Sequence, residues 1–581
     1  MMSELLRGGE FLIKDVEPQS IFTPEDFTEE HRMMAKMVKD FITNEVVPKS
    51  EEIENQVEGV VPELMRKAGE LGLLSVDIPE AYGGMELDKV STVIVTENVS
   101  GQGSFATAHG AHTGIGTLPI VYFGTEEQKK KYLPGLASGE KLAAYCLTEP
   151  GSGSDALAAK TKAVLSEDGK YYILNGTKQF ITNAGFADVF IVYAKVDGDK
   201  FTAFIVERDF PGVSFGPEEK KMGIKGSSTR QVILEDVKVP VENVLGEVGK
   251  GHVIAFNILN IGRFKLGAGC AGSCKLALST AVKYATERSQ FGQPIANFGL
   301  IKNKIGRMAA YTFAAESMVY RTAGMMDKIL GDVKGKSGAE IAKGIEEYAI
   351  EYSVNKVFAS EALDFVVDET VQIFGGYGYT QEYPAERMYR DARINRIFEG
   401  TNEINRLIIP AQLLRKAQKG QLPLLAAVQK LMGEIVAPLP PVEDVSGLNR
   451  EKEAISRAKK LALMAAGLAV QKFKEKIEQE QEVLGMIADM AIEIYAMESS
   501  YLRAVKTGSE LQEKYVKIFV AESFAKIERL AKDLLAYVSE GDEQRTYLAV
   551  VRKFAKLPPV NTVKLTREVA DVIIDNLGYK A

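Results

Sequence analysis

The chain has 581 residues, too many for one core and enough for three or four units of about 100 to 200 residues each. Its 46% hydrophobic and 26% charged residues are those of an ordinary soluble protein, and a net charge of -8, from 71 basic and 79 acidic side chains, argues against a polybasic nucleic-acid binder. Three cysteines, Cys146, Cys270 and Cys274, cannot build a disulfide framework, which favours a reducing compartment; Cys270 and Cys274, four apart, make a weak metal proposal and read as small core residues.

The first residues, MMSELLRGGEFLIKDVEPQ, show neither the apolar stretch of a signal peptide nor an Arg-rich transit pattern, so a cytoplasmic location is expected. From Thr23, TPEDFTEEHRMMAKMVKDF reads as an amphipathic helix capped by Thr23, with Pro24 at its first position and Phe27, Met34, Val38 and Phe41 on one face. Helical spacing continues over 62–71, 91–99 and 126–137, which makes residues 1–140 an α-helical domain. Short β-branched and aromatic runs then alternate with Asn-Gly, Asp-Gly and Pro-Gly turns, and predict a small β-barrel or sandwich over 141–240.

Helical periodicity returns with long helices at 275–288, 299–327 and 339–374, the material of a four-helix bundle over 241–416. The remaining 417–581, entered through the Pro-rich APLPPVED, is a further helical domain. The expected fold class is therefore mainly α with a central β domain. RMAAYTFAAESMVYR from Arg307 aligns with DMAIEIYAMESSYLR from Asp489, matching Met308 to Met490, Glu316 to Glu498, Ser317 to Ser499 and Arg321 to Arg503. KVFASEA from Lys356 parallels KIFVAES from Lys517 in the same order, which suggests that the tail is a diverged duplicate of the bundle.

Three segments carry candidate chemistry. AYCLTEPGSGSD, Ala144 to Asp155, runs from a strand into a Gly-rich loop whose N–H groups and Thr148, Ser152 and Ser154 hydroxyls suit a polar ligand; it lacks the P-loop and dinucleotide fingerprints. ERSQFG places Arg288 at a helix end before a Phe291-Gly292 turn, fit to meet helix carbonyls or a ligand phosphate. QIFGGYGYTQEYPAERMYRDARINRIFEGTNEINRL closes a helix in glycines and re-enters helix at Thr401, an N-cap for a helix that would bury Ile404, Leu407 and Ile408. Glu399, just before that cap, is either a solvated acid favouring the helix dipole or a base in an apolar pocket. His109 and His112 lack a third ligand and read as surface or pocket residues, so no metal site is assigned.

TEPGSGSD, the FIT at 180–182, ERSQFG, QIFGGYGY and FEGTNE, in this order, resemble the acyl-CoA dehydrogenase family over about residues 20 to 415. The resemblance implies FAD held by Tyr145, Leu147, Thr148, Gly153 and Ser154 with Phe180, Ile181 and Thr182, where Phe180 replaces the family's frequent Trp. Arg288, Gln290 and Phe291, with Gln372, Gly375 and Gly376, would reach the FAD of a neighbouring subunit, so a homo-oligomer is implied; Thr401 and Glu403 would complete the flavin contacts. Asn260, Gly262 and Arg263 in LNIGR, with Ser154 and Gly400, would meet acyl-CoA. Glu399 would be the base, since the alternative position for a catalytic Glu is Gly262 here.

A weakly acidic thioester α-hydrogen needs a carboxylate made more basic by burial and a carbonyl polarised by hydrogen bonds. In the family these bonds come from the N–H of the catalytic Glu and a ribityl hydroxyl, while flavin N5 takes the β-hydride and trans-2-enoyl-CoA leaves. The tail makes the very-long-chain branch the nearest match, implying a homodimer, fatty acid β-oxidation and electron-transferring flavoprotein as acceptor. An acyl-CoA oxidase and a non-catalytic scaffold relative are the rival readings. GSFATAHGAHTGIG, Gly103 to Gly116, falls where the family lines its acyl pocket, and its small residues would leave room for a long chain. In the tail, Arg457, Lys459, Lys460, Lys472, Lys474 and Lys476 surround the apolar Leu461 to Val470; packing in the bundle is preferred over a helix lying peripherally on an anionic membrane.

Overall fold

The structure, a computed structural model, describes residues 6–435, 437–439 and 442–581; the first five residues, Val436, and Pro440 and Pro441 of the Pro-rich stretch lie outside the described residues. Among the described residues, after three short 3-10 turns, come the α-helices α1 (Glu29–Phe41), α2 (Ser50–Glu54), α3 (Val60–Glu70), α4 (Lys89–Val99), α5 (Gly103–Gly110), α6 (Leu118–Phe123) and α7 (Glu126–Ser138). Thr28, not Thr23, caps α1: its hydroxyl accepts from His31 N at 3.2 Å while the His31 ring accepts from Thr28 N at 3.3 Å. Thr23 instead binds Asp26 through its backbone N–H at 2.9 Å, closing a separate turn over Pro24–Asp26. Val38, Phe41, Leu64, Met65, Val95 and Phe105 form the core of these helices.

The β region comprises β1 (Ala143–Cys146), β2 (Lys162–Leu165), β3 (Tyr171–Thr182), β4 (Val189–Val196), β5 (Lys200–Glu207), β6 (Val213–Phe215), β7 (Thr229–Pro240) and β8 (Val244–Leu245). Pairing runs β6-β7-β3-β2-β4-β5-β8, with β1 added parallel to β4. The barrel expectation is thereby corrected. The path ends in β6 and β8, strands of three and two residues that do not pair with each other, so the sheet stays open. β4 and β5 are buried along nearly their whole length, which explains why VFIVYAKV and FTAFIVE read as continuous apolar runs rather than alternating ones.

Helices dominate the rest. α8 (Gly251–Glu287) precedes the short hairpin β9 (Ser289–Gln290) and β10 (Gln293–Pro294); then come α9 (Gly299–Asp332), α10 (Gly338–Glu346), α11 (Ala349–Phe374), α12 (Pro384–Ala392) and α13 (Asn402–Gln418). The tail supplies α14 (Leu424–Glu434), α15 (Asn449–Phe473), α16 (Gln481–Thr507), α17 (Glu510–Val538), α18 (Gly541–Ala555) and α19 (Thr562–Asp575). The helix expected over 339–374 is divided between α10 and α11. At the break the Glu347 carbonyl accepts from Lys416 Nζ at 2.8 Å, and its carboxylate accepts from Gly8 N at 2.9 Å.

Two compact units result. One contains the chain up to Asp26, Ser273–Met325 and Glu347–Ala581; the other contains Phe27–Gly272 and Met326–Glu346. Within the first, α9 and α16 meet through residues that the internal alignment matches. Arg321 pairs with Glu498 at 2.8 Å and Arg503 with Glu316 at 2.6 Å, while Arg321 donates to Ser499 at 3.1 Å and Arg503 to Ser317 at 3.4 Å. The guanidiniums also lie over matched rings, Arg321 4.5 Å from Tyr495 and Arg503 4.7 Å from Phe313. Such reciprocity, residue i on j and j on i, is the pattern of a two-fold interface, here formed within one chain.

The tail's apolar run, Leu461 to Val470, is spent inside this unit. Leu461, Met464, Ala465 and Ala469 are buried in α15, and two of the flanking cations are buried with them. Arg457 donates to Lys556 O at 2.8 Å, and Lys459 donates to Glu498 at 2.5 Å and to Lys14 O at 2.8 Å. The membrane-surface alternative loses its apolar face. Among the described residues no helix is long and apolar enough to cross a membrane.

Candidate active site

In the unit that carries the sheet, β1 leads into the Gly-rich loop, and Gln179 N donates to Thr148 O at 2.8 Å. The two segments expected to hold a flavin are thus neighbours. A buried pair pins them: Lys178 meets Glu149 at 2.8 Å and donates to Leu147 O at 3.3 Å, while Glu149 accepts from Lys160 N at 2.6 Å and Thr161 N at 3.0 Å. Burial alone would raise the Glu149 carboxyl, but the Lys178 charge and these donors hold it below its ordinary value. Neither Lys178 nor Glu149 was singled out from the sequence, because their roles depend on a contact between strands.

With Ser152 turned inward onto Asp155 O at 2.7 Å, the loop presents Gly153 and Ser154 to solvent and Thr148 half-exposed. A side chain added at Gly151 or Gly153 would meet nothing within 4 Å. Tyr145, Leu147 and Ile181 are buried beneath, and Thr182 is half-buried. Phe180 is 61% exposed at φ 58, a left-handed conformation that bulky residues rarely take. A bare aromatic ring beside an open loop of backbone amides fits a planar, polar-edged group such as a flavin.

In α8, Arg263 donates to Asn260 Oδ1 at 2.8 Å, both side chains being buried, with Gly262 half-buried between them. The 103–116 region folds as α5 followed by a wider π turn over Ala111–Gly116, a form frequent at functional sites. His109 and His112 are not surface residues. Their Nε2 atoms lie 3.0 Å from Leu73 O and 2.9 Å from Leu136 O, and burial pushes them down to about 3 and about 4, so both are neutral core groups. All three cysteines are buried.

The other unit holds the remaining candidates. Phe291 at φ 52 and Gly292 at φ 78 form the left-handed pair of a tight two-residue hairpin, which leaves the Phe291 ring 93% exposed. Arg288 and Gln290 are exposed beside it, with Arg288 5.5 Å from the Tyr377 ring, so the ERSQFG and GGYGY segments adjoin. Gln372, Gly375 and Gly376 are exposed, and side chains added at either glycine would meet nothing.

Glu399 at φ 59 and Gly400 at φ 79 make a second left-handed pair, followed at once by α13. Thr401 caps that helix as expected, accepting from Ile404 N at 3.2 Å, and Glu403 is exposed in its first turn. The buried face of α13 differs from expectation: Asn402, Asn405, Ile409, Pro410 and Leu413 are inside, while Ile404, Leu407 and Ile408 are half-buried. The two asparagines face inward because they serve the turn. Asn405 Nδ2 donates to Gly400 O at 2.9 Å and Thr401 O at 3.0 Å. Lys356 Nζ donates to the same Gly400 O at 2.9 Å and to Asn402 Oδ1 at 2.6 Å. Glu399 itself is half-buried, with Oε2 shielded from solvent. Asn405 lies two residues beyond the FEGTNE motif and the sequence assigns it no role, and Lys356 stands out there only by its match to the tail.

The chain matches the family descriptions "Acyl-CoA dehydrogenase, N-terminal domain" over residues 28–140, "middle domain" over 144–237 and "C-terminal domain" over 249–414. A further match, again described as an acyl-CoA dehydrogenase C-terminal domain, covers 457–553. It is 55% identical to a probable acyl-CoA dehydrogenase of Bacillus subtilis over 99% of both chains. To the mitochondrial very long-chain specific acyl-CoA dehydrogenase of Macaca fascicularis it is 42% identical, over 76% of this chain and 69% of that one. The crystal structure of an acyl-CoA dehydrogenase complexed with FAD from Bacillus anthracis superposes with a TM-score of 0.97 at 54% identity, covering 99% of this chain and all of that one.

Proposed function

Because the chain belongs to the acyl-CoA dehydrogenase family and is an FAD enzyme, we propose that it oxidises long-chain acyl-CoA to trans-2-enoyl-CoA in fatty acid β-oxidation. Electron-transferring flavoprotein is the proposed acceptor, and peroxide release during turnover would refute it in favour of an oxidase. FAD, when bound, supplies the acceptor for the β-hydride. The protein's own residues do the rest.

Glu399 takes the α-proton, and its backbone N–H donates to the thioester carbonyl, polarising it as the enolate develops. The single observation that carries this role is the turn itself. A carboxylate on two successive left-handed residues, fixed by Lys356, Asn405 and the Thr401 cap, is strained backbone held for orientation. Thr148, Gly153 and Ser154 offer hydroxyls and amides to the flavin edge, Phe180 its ring, and Asn260 and Arg263 a polar contact for acyl-CoA. Arg288, Gln290, Phe291, Gln372, Gly375 and Gly376 extend to the FAD of a second copy in a homodimer.

The long-chain assignment is supported by the very long-chain relative and by the tail. We take that tail to be a duplicate of the bundle, a reading supported by its second C-terminal-domain match and by the reciprocal contacts of Arg321 and Arg503. Glu399→Gln should yield yellow, FAD-loaded protein whose flavin is no longer bleached by acyl-CoA. Retained bleaching refutes the base, and a bleaching series over acyl-CoA lengths that peaks at short chains refutes the substrate class.

A further inference from the structure

We propose that Lys356 is a positioning residue for the base, its ammonium clamping the Gly400 carbonyl and thereby the left-handed Glu399–Gly400 turn that aims the carboxylate; this rests on the assignment of Glu399. Lys356 lies in α11, its side chain wholly buried, and it donates to Gly400 O at 2.9 Å and Asn402 Oδ1 at 2.6 Å. Removing an ammonium from water is costly, and lysine is among the residues least often buried. A fold that only needed to fill this space would use a hydrocarbon side chain.

The target of the cation is specific. Gly400 O receives two donors, Lys356 and Asn405, and Asn405 also serves Thr401 O at 3.0 Å, so the peptides that follow Glu399 are fixed from two sides. Asn402 relays the hold back to α11 through Ser360 at 3.0 Å and Glu361 at 3.1 Å. The clamp holds a non-glycine residue at φ 59 next to a glycine at φ 79, although extended or right-handed conformations are open to the chain.

The chain contains its own control. Lys517, which the internal alignment matches to Lys356, lies on α17 with 26% of its side chain exposed and pairs loosely with Glu513 one turn away, at 3.6 Å. The tail copy has no Glu-Gly-Thr turn, and its lysine is an ordinary helix-surface cation. The buried, carbonyl-clamping arrangement occurs in the copy that carries the turn.

The test compares FAD-loaded wild type, Lys356→Met and Lys356→Arg, reading FAD content, hexadecanoyl-CoA binding and the single-turnover rate of flavin bleaching. Lys356→Met should keep FAD and bind hexadecanoyl-CoA within about threefold, yet bleach roughly 100-fold more slowly, the scale of a misplacement of about 1 Å. Lys356→Arg, which retains a cationic donor, should recover at least about tenfold of that loss by the same positioning argument. Bleaching by Lys356→Met within threefold of wild type overturns the proposal. If Lys356→Met does not retain FAD, Lys356→Arg decides: slowed bleaching with binding intact supports positioning, whereas wild-type bleaching, or loss of FAD and binding together, overturns it. Glu399→Gln, run alongside, separates the two claims, since a bleaching Gln variant sinks the base assignment and a dead one with a normal Lys356→Met sinks only the clamp.

Discussion

Truncating one guanidinium of the α9–α16 interface measures what the internal two-fold contributes. Arg503 is 1% exposed and Glu316 is 5% exposed, so Arg503→Met leaves a carboxylate inside the protein without its main partner. Breaking a buried pair in this way costs about 3 to 5 kcal/mol. The lower end applies here, because Glu316 keeps Lys275 and the Tyr579 hydroxyl at 2.7 Å. Arg503 also holds Glu25 of the N-terminal segment at 2.8 Å, a pair a third exposed on the acid side, which adds up to about 1 kcal/mol. Arg321→Met, at the matched position, leaves Glu498 with Lys459, so about 3 kcal/mol is expected against about 4 for Arg503→Met. Urea unfolding of the holoenzyme at neutral pH, with midpoint shifts converted through the wild-type slope, gives both values. Burial by itself would raise the Glu316 carboxyl, but Arg503 and Lys275 outweigh it and hold the group low. Its stabilising share is therefore complete above the ordinary value of 4.5 and fades as pH falls, so the gap between wild type and Arg503→Met should narrow in acid. A cost below about 1 kcal/mol for either variant, as for a surface pair, refutes the reasoning.

Two further outcomes are expected. Phe291→Ser removes a ring left 93% exposed at a hairpin tip; if that ring docks on a second copy, self-association should weaken by about 2 kcal/mol per contact in sedimentation experiments, with FAD retained less well, and an unchanged oligomer refutes the docking. Glu351 is buried against Gly9 N at 2.7 Å, and burial pushes its carboxyl up to about 7. The folded state thus keeps a proton that the unfolded chain releases, so this group withdraws about 3 kcal/mol of stability as pH rises from 4.5 to 7 and no more above it. Glu351→Gln should melt higher than wild type at pH 8 and close to it at pH 4.5; a pH-independent difference refutes this.

What was legible in the sequence was local. The Thr401 cap, the Phe291-Gly292 turn and the glycine loop each follow from two or three adjacent residues, and the structure forms all three. The misplaced cap at Thr23 failed because Thr-Pro-Glu-Asp and Thr-Glu-Glu-His carry the same start signal, and in both the fourth side chain accepts from the Thr N–H; only the Thr28 hydroxyl accepts in turn from a backbone N–H, that of His31, while the Thr23 hydroxyl donates to the Asp26 carboxylate. The burial of His109 and His112, and the inward turn of Asn402 and Asn405, were beyond reach for another reason. The partners of His109, His112 and Asn402 are backbone carbonyls and side chains distant in the sequence, and a polar residue with a remote partner has the same local pattern as one in water; Asn405 reaches back only a few residues, to Gly400 O and Thr401 O, but does so only once the turn has formed. Lys178 with Glu149, and Lys356 with Gly400, belong to the same class.

The internal symmetry is informative where it breaks. Arg307 grips Glu522 with two bonds, at 2.8 and 2.9 Å, and the matched residues on the other side are Asp489 and Glu361, two acids that would repel. Arg406 resolves the conflict, donating to Asp489 at 2.9 Å and to Glu361 at 2.9 Å. Arg406 belongs to α13, the helix that starts at the Thr401 cap beside Glu399, the proposed base, and Glu361 also accepts from Asn402, the partner of Lys356. The tail therefore reaches the Glu399 turn through two carboxylates and one guanidinium. The tail lacks the glycine-rich and Glu-Gly-Thr segments, yet its Asp489 fixes the helix that follows the Glu399 turn, so removing the tail should slow the chemistry as well as disturb assembly. Asp489→Asn, which leaves the tail in place, isolates that effect: slower bleaching with unchanged oligomeric state supports the link, and wild-type bleaching breaks it.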